Sequence, residues 1–319
     1  RVLTACLATL CVTTAVASEA YDLKVSLKAD AVQQVQAVIE VRGDLWVQAG
    51  EGEQQKLPVV VSGKVTYDER MLATEPADGS RRSARNYREA SAEVKVGQGV
   101  ANPQLNAERR LVVAQIDAGG ATLFCPWGPL SRDDLDLIDI QGNSLAVSGL
   151  LPDQPVRAGE PWPVNRESLA MLLGLDVITS SDVQGTLDKV EGTTAVLTIQ
   201  GTLDGAAQGV ASKITLKAKA NFDTAQRAVT WLAANFHERR EIGHAEPGFD
   251  VTARLRVAIT PQTEADALSD AALRDFLAVY KQSAYAALPD TAAVVLELKF
   301  DVMLAACWQW LVSSNRGAA

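Results

Sequence analysis

The sequence predicts a mainly β protein of the β-rich α+β kind: two curved antiparallel-sheet domains with few helices, followed by an incomplete C-terminal α/β segment. Three observations predict it. Apolar and polar residues alternate with period two in many short segments, as in Tyr21, Leu23, Val25 and Leu27 against Asp22, Lys24, Ser26 and Lys28, which gives each strand one wet face. Turn-forming clusters such as Arg42-Gly43-Asp44, Gly97-Gln98-Gly99, Gln141-Gly142-Asn143 and Asp204-Gly205 separate these segments. Helical periodicity is confined to two places, so a doubly wound parallel fold is excluded.

Residues 1–17 come first in the chain and read as a secretory signal peptide. An apolar run from Val2 leads to the small-x-small site Ala15-Val16-Ala17, which predicts a mature protein beginning near Ser18 in a secreted or periplasmic location. Leu3-Thr4-Ala5-Cys6 resembles a lipidation box, but its apolar segment follows the cysteine instead of preceding it. The first β domain is expected over 18–150, with strands at Val35–Val41, Asp44–Gln48, Leu57–Tyr67, Ala92–Val96, Arg110–Ile116, Leu135–Ile140 and Ser144–Val147. A Pro-rich connector occupies 151–163, where Pro152, Pro155, Pro161 and Pro163 fix φ and withhold ladder donors. The second domain, 164–261, opens with a short helix at Arg166–Leu173, capped by Asn165 and closed by Gly174. A meander of five long strands follows, from Val183 to Ile259. Beyond Pro261 an apolar helical stripe through Ala267, Leu268, Ala271, Leu273, Phe276, Leu277, Val279 and Tyr280, with Ser269 as a cap, predicts a helix, and two strands at Val294–Phe300 and Cys307–Val312 complete a segment (262–319) read as truncated.

The formal charge is −9 over 319 residues, and loss of Arg1 with the leader makes the mature chain one unit more negative. Such a balance argues against nucleic acid and against an anionic membrane as partners, and no segment of the mature chain is a transmembrane candidate. Cys6 and Cys11 lie in the leader, which leaves Cys125 and Cys307; their pairing is open.

The candidate chemistry is sparse. His237-Glu238-Arg239-Arg240-Glu241 fails as a zinc-protease helix because Glu241 stands where the second histidine belongs, and His244 lies beyond it. Gly142-Asn143-Ser144-Leu145-Ala146 approximates a nucleophile elbow without its last glycine. Asp133, Asp134, Asp136 and Asp139 lack the glycine of a calcium loop and are expected on a solvated strand edge. Arg81, Arg82, Arg85 and Arg88 form a basic run expected in or beside a loop, ion-paired or holding an anion. Trp308, Trp310 and Trp162 are expected in cores or, on a secreted scaffold, against a ligand. No cofactor or metal is expected.

Arg81-Arg82-Ser83-Ala84-Arg85-Asn86-Tyr87, the Leu150 to Trp162 connector and the run Phe222-Asp223, Trp231, Arg239-Arg240 and Pro247-Gly248 resemble a family of secreted proteins of planctomycete bacteria, over residues 21–260. That resemblance implies secretion and brings no activity with it. The architecture is also similar, at the level of fold alone, to periplasmic lipoprotein carriers.

The function expected from these readings is a non-enzymatic envelope protein that holds an apolar small molecule or lipid, or an envelope protein partner, on a curved sheet. The expected ligand-binding residues are Trp231, Leu216 and Ile214 of the second domain, covered by Leu172 and Leu173 of its helix. The alternative is an extracytoplasmic hydrolase with a dispersed site.

Overall fold

The strands in chain order are β1 (Ala20–Tyr21), β2 (Val32–Gln48), β3 (Gln54–Met71), β4 (Arg81–Val96), β5 (Gly99–Ala101), β6 (Leu111–Asp117), β7 (Gly120–Phe124) and β8 (Val156–Arg157). They continue with β9 (Pro161–Pro163), β10 (Val177–Ser181), β11 (Gln184–Glu191), β12 (Thr194–Ala207), β13 (Val210–Asp223), β14 (Ala228–Arg240) and β15 (Gly248–Gln262). Among the described residues four α-helices accompany them: α1 (Arg132–Ile138), α2 (Ser144–Val147), α3 (Arg166–Leu173) and α4 (Asp270–Gln282). The computed structural model describes residues 19–282 apart from 27, 49–53, 74–79, 118–119, 140 and 244–246. The expected signal peptide, His244, the strands expected after Val294, Cys307, Trp308 and Trp310 lie outside the described residues.

All but β1 and β8 belong to one antiparallel sheet of 13 strands, with the path β7-β6-β4-β3-β2-β15-β14-β13-β12-β11-β9. β5 and β10 pair beside that path with β4 and β12. The path has two ends, so the sheet is open. The halves before and after the Pro-rich stretch meet edge to edge, because β2 pairs with β15 along its length from Val32↔Gln262 to Trp46↔Gly248. A single core cluster accordingly runs from Val35 and Ile39 to Leu197 and Phe222.

Period-two alternation builds an inner and an outer face. On β13, residues 210, 212, 214, 216, 218, 220 and 222 are buried while Lys213, Lys217 and Lys219 are exposed. The inner face is covered by α1, α2, α3 and the segments joining them, through Leu137, Ile138, Leu150, Leu169, Leu172 and Leu173. The outer face is covered at one corner, where Leu273, Phe276 and Tyr280 of α4 pack on Ala84 of β4 and Val113 of β6. The helix expected after Pro261 is therefore present, and Tyr280 Oη donates to Gln115 Oε1 at 2.8 Å.

Several expected elements are corrected. Leu135–Ile140 and Ser144–Val147 are not strands: Leu137 and Ile138 are buried together with Asp134 at helical spacing on α1, which a capping box with Ser131 starts. Ser144 opens α2, where Asn143 caps with its side chain. Asp134 is consequently a cap residue and not part of a strand edge. Arg42-Gly43-Asp44 is no turn but the middle of β2; a Cβ on Gly43 would stand 2.2 Å from Asp250 O, so glycine permits close approach of β15. Asp204-Gly205 lies within β12, and the hairpin turns instead at Gln208 and Gly209, both with positive φ. The segment at Tyr21 shrinks to β1, which pairs with β8. The Arg81 to Arg88 run is in β4 and not in a loop.

The Pro-rich stretch is anchored at β9, where Trp162 is buried and donates from Nε1 to Leu150 O at 3.1 Å. Its indole lies on Gly185 of β11, whose Cβ, if present, would meet the ring at 2.2 Å. Gly185→Val should therefore displace Trp162 and lower stability by about 1–3 kcal/mol. A urea titration followed by intrinsic fluorescence checks this, and an unchanged midpoint would show that the contact is dispensable.

Candidate functional site

β3 and β4 run side by side with Glu69 opposite Arg85 and Met71 opposite Ser83, so these side chains share the inner face. Glu69 and Arg85 are both buried and joined by an ion pair of 2.9 Å. The carboxylate is saturated: Gln33 Nε2 donates to it at 2.6 Å, Ser83 Oγ at 2.7 Å and Ser144 Oγ at 2.8 Å. Ser144 Oγ in turn accepts from Tyr67 Oη at 3.0 Å and from Arg85 Nη2 at 3.1 Å, while Asn143 Oδ1 accepts from Arg85 at 2.6 Å. The guanidinium carbon of Arg85 sits 4.8 Å from the Tyr67 ring centroid. This cluster ties α2 to the sheet.

The electrostatics follow from that geometry. Burial pushes the Glu69 carboxyl up, but the Arg85 charge and the donors Ser83, Gln33 and Ser144 outweigh it and hold its pKa below the ordinary value. Burial pulls Arg85 down, yet the facing Tyr67 and Glu69 more than compensate, and it stays a cation. Burial raises the Tyr67 phenol, which remains protonated and able to donate.

Ser144 does not have a catalytic neighbourhood of the expected kind. It opens a four-residue helix rather than turning between strand and helix, and its hydroxyl is committed to Glu69. His237 is exposed on the outer face, opposite in sense to the buried Glu238, and bonds Asp250 Oδ1 through Nε2 at 2.6 Å. Arg240 and Glu238 instead pair at 2.7 Å in the core, where Ser212 Oγ also donates to Glu238. Among the described residues no group of three or more His, Cys, Asp or Glu side chains is placed to hold a metal ion.

Leu216, Ile214, Leu172 and Leu173 all belong to the main core cluster and are nearly inaccessible. Trp231 is separated from them. Between Phe222↔Val229 and Asn221↔Trp231 the ladder slips by one residue at a bulge, which keeps Val229 inward and turns Trp231 to the outer face. Alternation alone had placed the two on one side.

An open cavity is found elsewhere. A groove of about 1270 Å³ lies between α2, α3, the 151–165 stretch and the inner-face ends of β3, β4 and β6. Its walls include the apolar side chains Val25, Met71, Leu145, Leu151, Trp162 and Met171 and the hydroxyls of Ser144, Ser148 and Ser168. Arg81 is also in its wall. Its guanidinium donates to Ser148 Oγ and meets no carboxylate among the described residues, and partial burial lowers its pKa. Sequence reasoning had singled out Arg81 as a cation but had no means of finding the groove, whose walls come from segments far apart in the chain.

No family model and no curated protein matches the chain. Solved structures do resemble it. One of lipovitellin, reported for its lipid–protein interactions, superposes with a TM-score of 0.44 at 7% identity, covering 76% of this chain and 26% of that one. The chain thus spans about a quarter of the lipovitellin chain. An outer membrane channel of Pseudomonas putida F1 gives a TM-score of 0.25 at 9% identity, over 74% of this chain and 97% of the other.

Removing one partner of the buried pair strands the other, so Glu69→Ala should cost about 3–5 kcal/mol, whereas Glu69→Leu with Arg85→Met should recover much of it. Denaturant midpoints of the three proteins check this, and equal stability of Glu69→Ala and wild type would refute it. Because the native pKa of Glu69 is depressed, its stabilisation is complete above the unfolded value near about 4.3 and is lost as pH falls through the lower native value. Wild type should consequently lose stability more steeply than Glu69→Gln below about pH 4, as thermal midpoints across an acid series would register.

Proposed function

We propose that this is a secreted or periplasmic, non-enzymatic binding protein of the bacterial envelope that takes an apolar or amphipathic small molecule in the groove beneath the Pro-rich stretch. The observation that carries this reading is the groove itself, which at about 1270 Å³ is larger than the usual range of about 300–1000 Å³ for small-molecule sites and sets apolar side chains such as Val25, Leu145 and Met171 beside polar and charged ones, among them Lys24, Gln33, Asp117 and Glu167. Trp162, Met171 and Leu145 provide apolar contact, and Arg81 supplies one cation without a carboxylate partner among the described residues, suited to a carboxylate or phosphate head. The leader-like first 17 residues support the extracytoplasmic location. The five residues expected from the sequence to bind ligand are given no such role in this reading, because four are core and Trp231 faces the other way.

A fluorescent long-chain fatty acid titrated into the protein should bind saturably. Filling the groove by Met171→Trp should weaken it at least about tenfold, a loss of about 1.4 kcal/mol, with the thermal midpoint unchanged. Arg81→Gln should weaken the fatty acid more than an uncharged alcohol of the same length. Absence of saturable binding at about 10 μM protein, where micromolar affinity registers, would reject the small-molecule reading.

A further inference from the structure

We propose that the outer face of β13, β14, β15 and β2 is a docking surface for an anionic phospholipid bilayer. A formal charge of −9 speaks against such a partner when spread over the whole chain. The fold does not spread it. Register places Lys213 beside Arg239, Lys217 two strands from Arg254, and Arg42 opposite Thr252, all pointing outward. Lys213, Lys217, Lys219, Arg42 and Arg254 are exposed and form no ion pair among the described residues, with Asp204 standing opposite Lys213 and Glu40 opposite Arg254.

Four carboxylates occupy the same area and are already engaged, Asp223 at the end of β13 accepting from Ala225 N at 2.9 Å and Gln226 N at 2.8 Å. Asp250 bonds His237 at 2.6 Å, Asp44 bonds Lys56 at 2.9 Å, and Glu40 lies 3.8 Å from Arg256. These cations lie about 7 Å apart at Lys217 and Lys219 and farther apart elsewhere, interleaved with Asp204, Glu40 and Asp44, on a rigid sheet that holds them without further ordering. Converging positive charge of this kind creates a local potential whatever the net charge of the molecule.

A bilayer fits this face better than a nucleic acid does. The half-buried Trp231 stands on the same face, diagonal to Lys219 and Arg256, with Ala258 opposite it. An indole beside cations suits the headgroup region, where its ring meets the apolar boundary and its N–H stays wet. No described helix projects from this area to enter a nucleic-acid groove. The proposal is independent of the groove, which opens on the inner face.

Co-sedimentation of the protein with vesicles tests it. Binding to vesicles of phosphatidylcholine with phosphatidylglycerol should exceed binding to phosphatidylcholine alone at least tenfold, on the order of 1.4 kcal/mol. It should collapse as salt rises from about 0.1 M to about 1 M, where the screening length falls from about 10 Å to about 3 Å. Lys213→Gln, Lys217→Gln and Lys219→Gln combined should weaken it on the order of a hundredfold, at about 1 kcal/mol per cation. Arg166→Gln, which removes an exposed cation from the helix-bearing side, should leave it unchanged. Circular dichroism confirms that the triple variant is folded. Equal binding to neutral and charged vesicles, or wild-type binding by the folded triple variant, would overturn the proposal, as would capture by duplex DNA or polyglutamate with no binding to charged vesicles.

Discussion

The pairing of β2 with β15 is the constraint on which the rest of the structure depends. These strands are separated by roughly two hundred residues of chain, and their ladder is what converts two runs of strands into one surface. Ile39 and Leu255 share one side of it, and Gly43 lets the backbones approach where any Cβ would strike Asp250. Because loop closure must precede such non-local contacts, this seam is a slow element of folding on general grounds. Once formed, it gives the helices of residues 132–173 a continuous apolar face to lie on.

The Glu69–Arg85 cluster sits where that helical layer meets the sheet. Its energetic role is conditional: a buried ion pair is weak evidence of net stability, since desolvation of both charges opposes their attraction. What the geometry does provide is specificity. Ser144 can satisfy Glu69, Tyr67 and Arg85 together only when α2 begins at that place, so the cluster fixes the position of a four-residue helix that has little stability of its own. The same placement defines one wall of the groove and leaves Ser148 to receive Arg81.

The two faces of the sheet thereby acquire different chemistry from one alternation. Along β13 the inward residues are apolar and close-packed, while the outward ones are lysines, and β15 repeats the division with Leu255 and Val257 against Arg254 and Arg256. On the inner face the helical layer leaves the open groove beneath the Pro-rich stretch and a smaller apolar cavity between α1 and β2, β3 and β4, lined by Ile39, Val61, Val65 and Leu137. On the outer face α4 covers one corner and leaves the central strands exposed. The proposed ligand groove and the proposed bilayer surface are thus separate consequences of a single architecture.

The sequence by itself determined what depends on neighbours within a few positions. Period-two alternation located β3 and the long strands β11 to β15 but split β2 at Gly43 and found only the last five residues of β4, and the capping of α3 by Asn165 and Gly174 was legible because a cap is a local hydrogen bond and a local φ. Short elements escaped, because over seven residues the alternation Leu135, Leu137 and the helical set Asp134, Leu137, Ile138 are both available, and only the sheet beneath decides which is buried. Tertiary structure alone decided the side taken by Trp231, since one bulge residue reverses every side chain beyond it and no local rule announces the slip. It alone also decided that cations scattered from Arg42 to Arg254 share one surface, because strand register, not distance along the chain, sets which charges are neighbours.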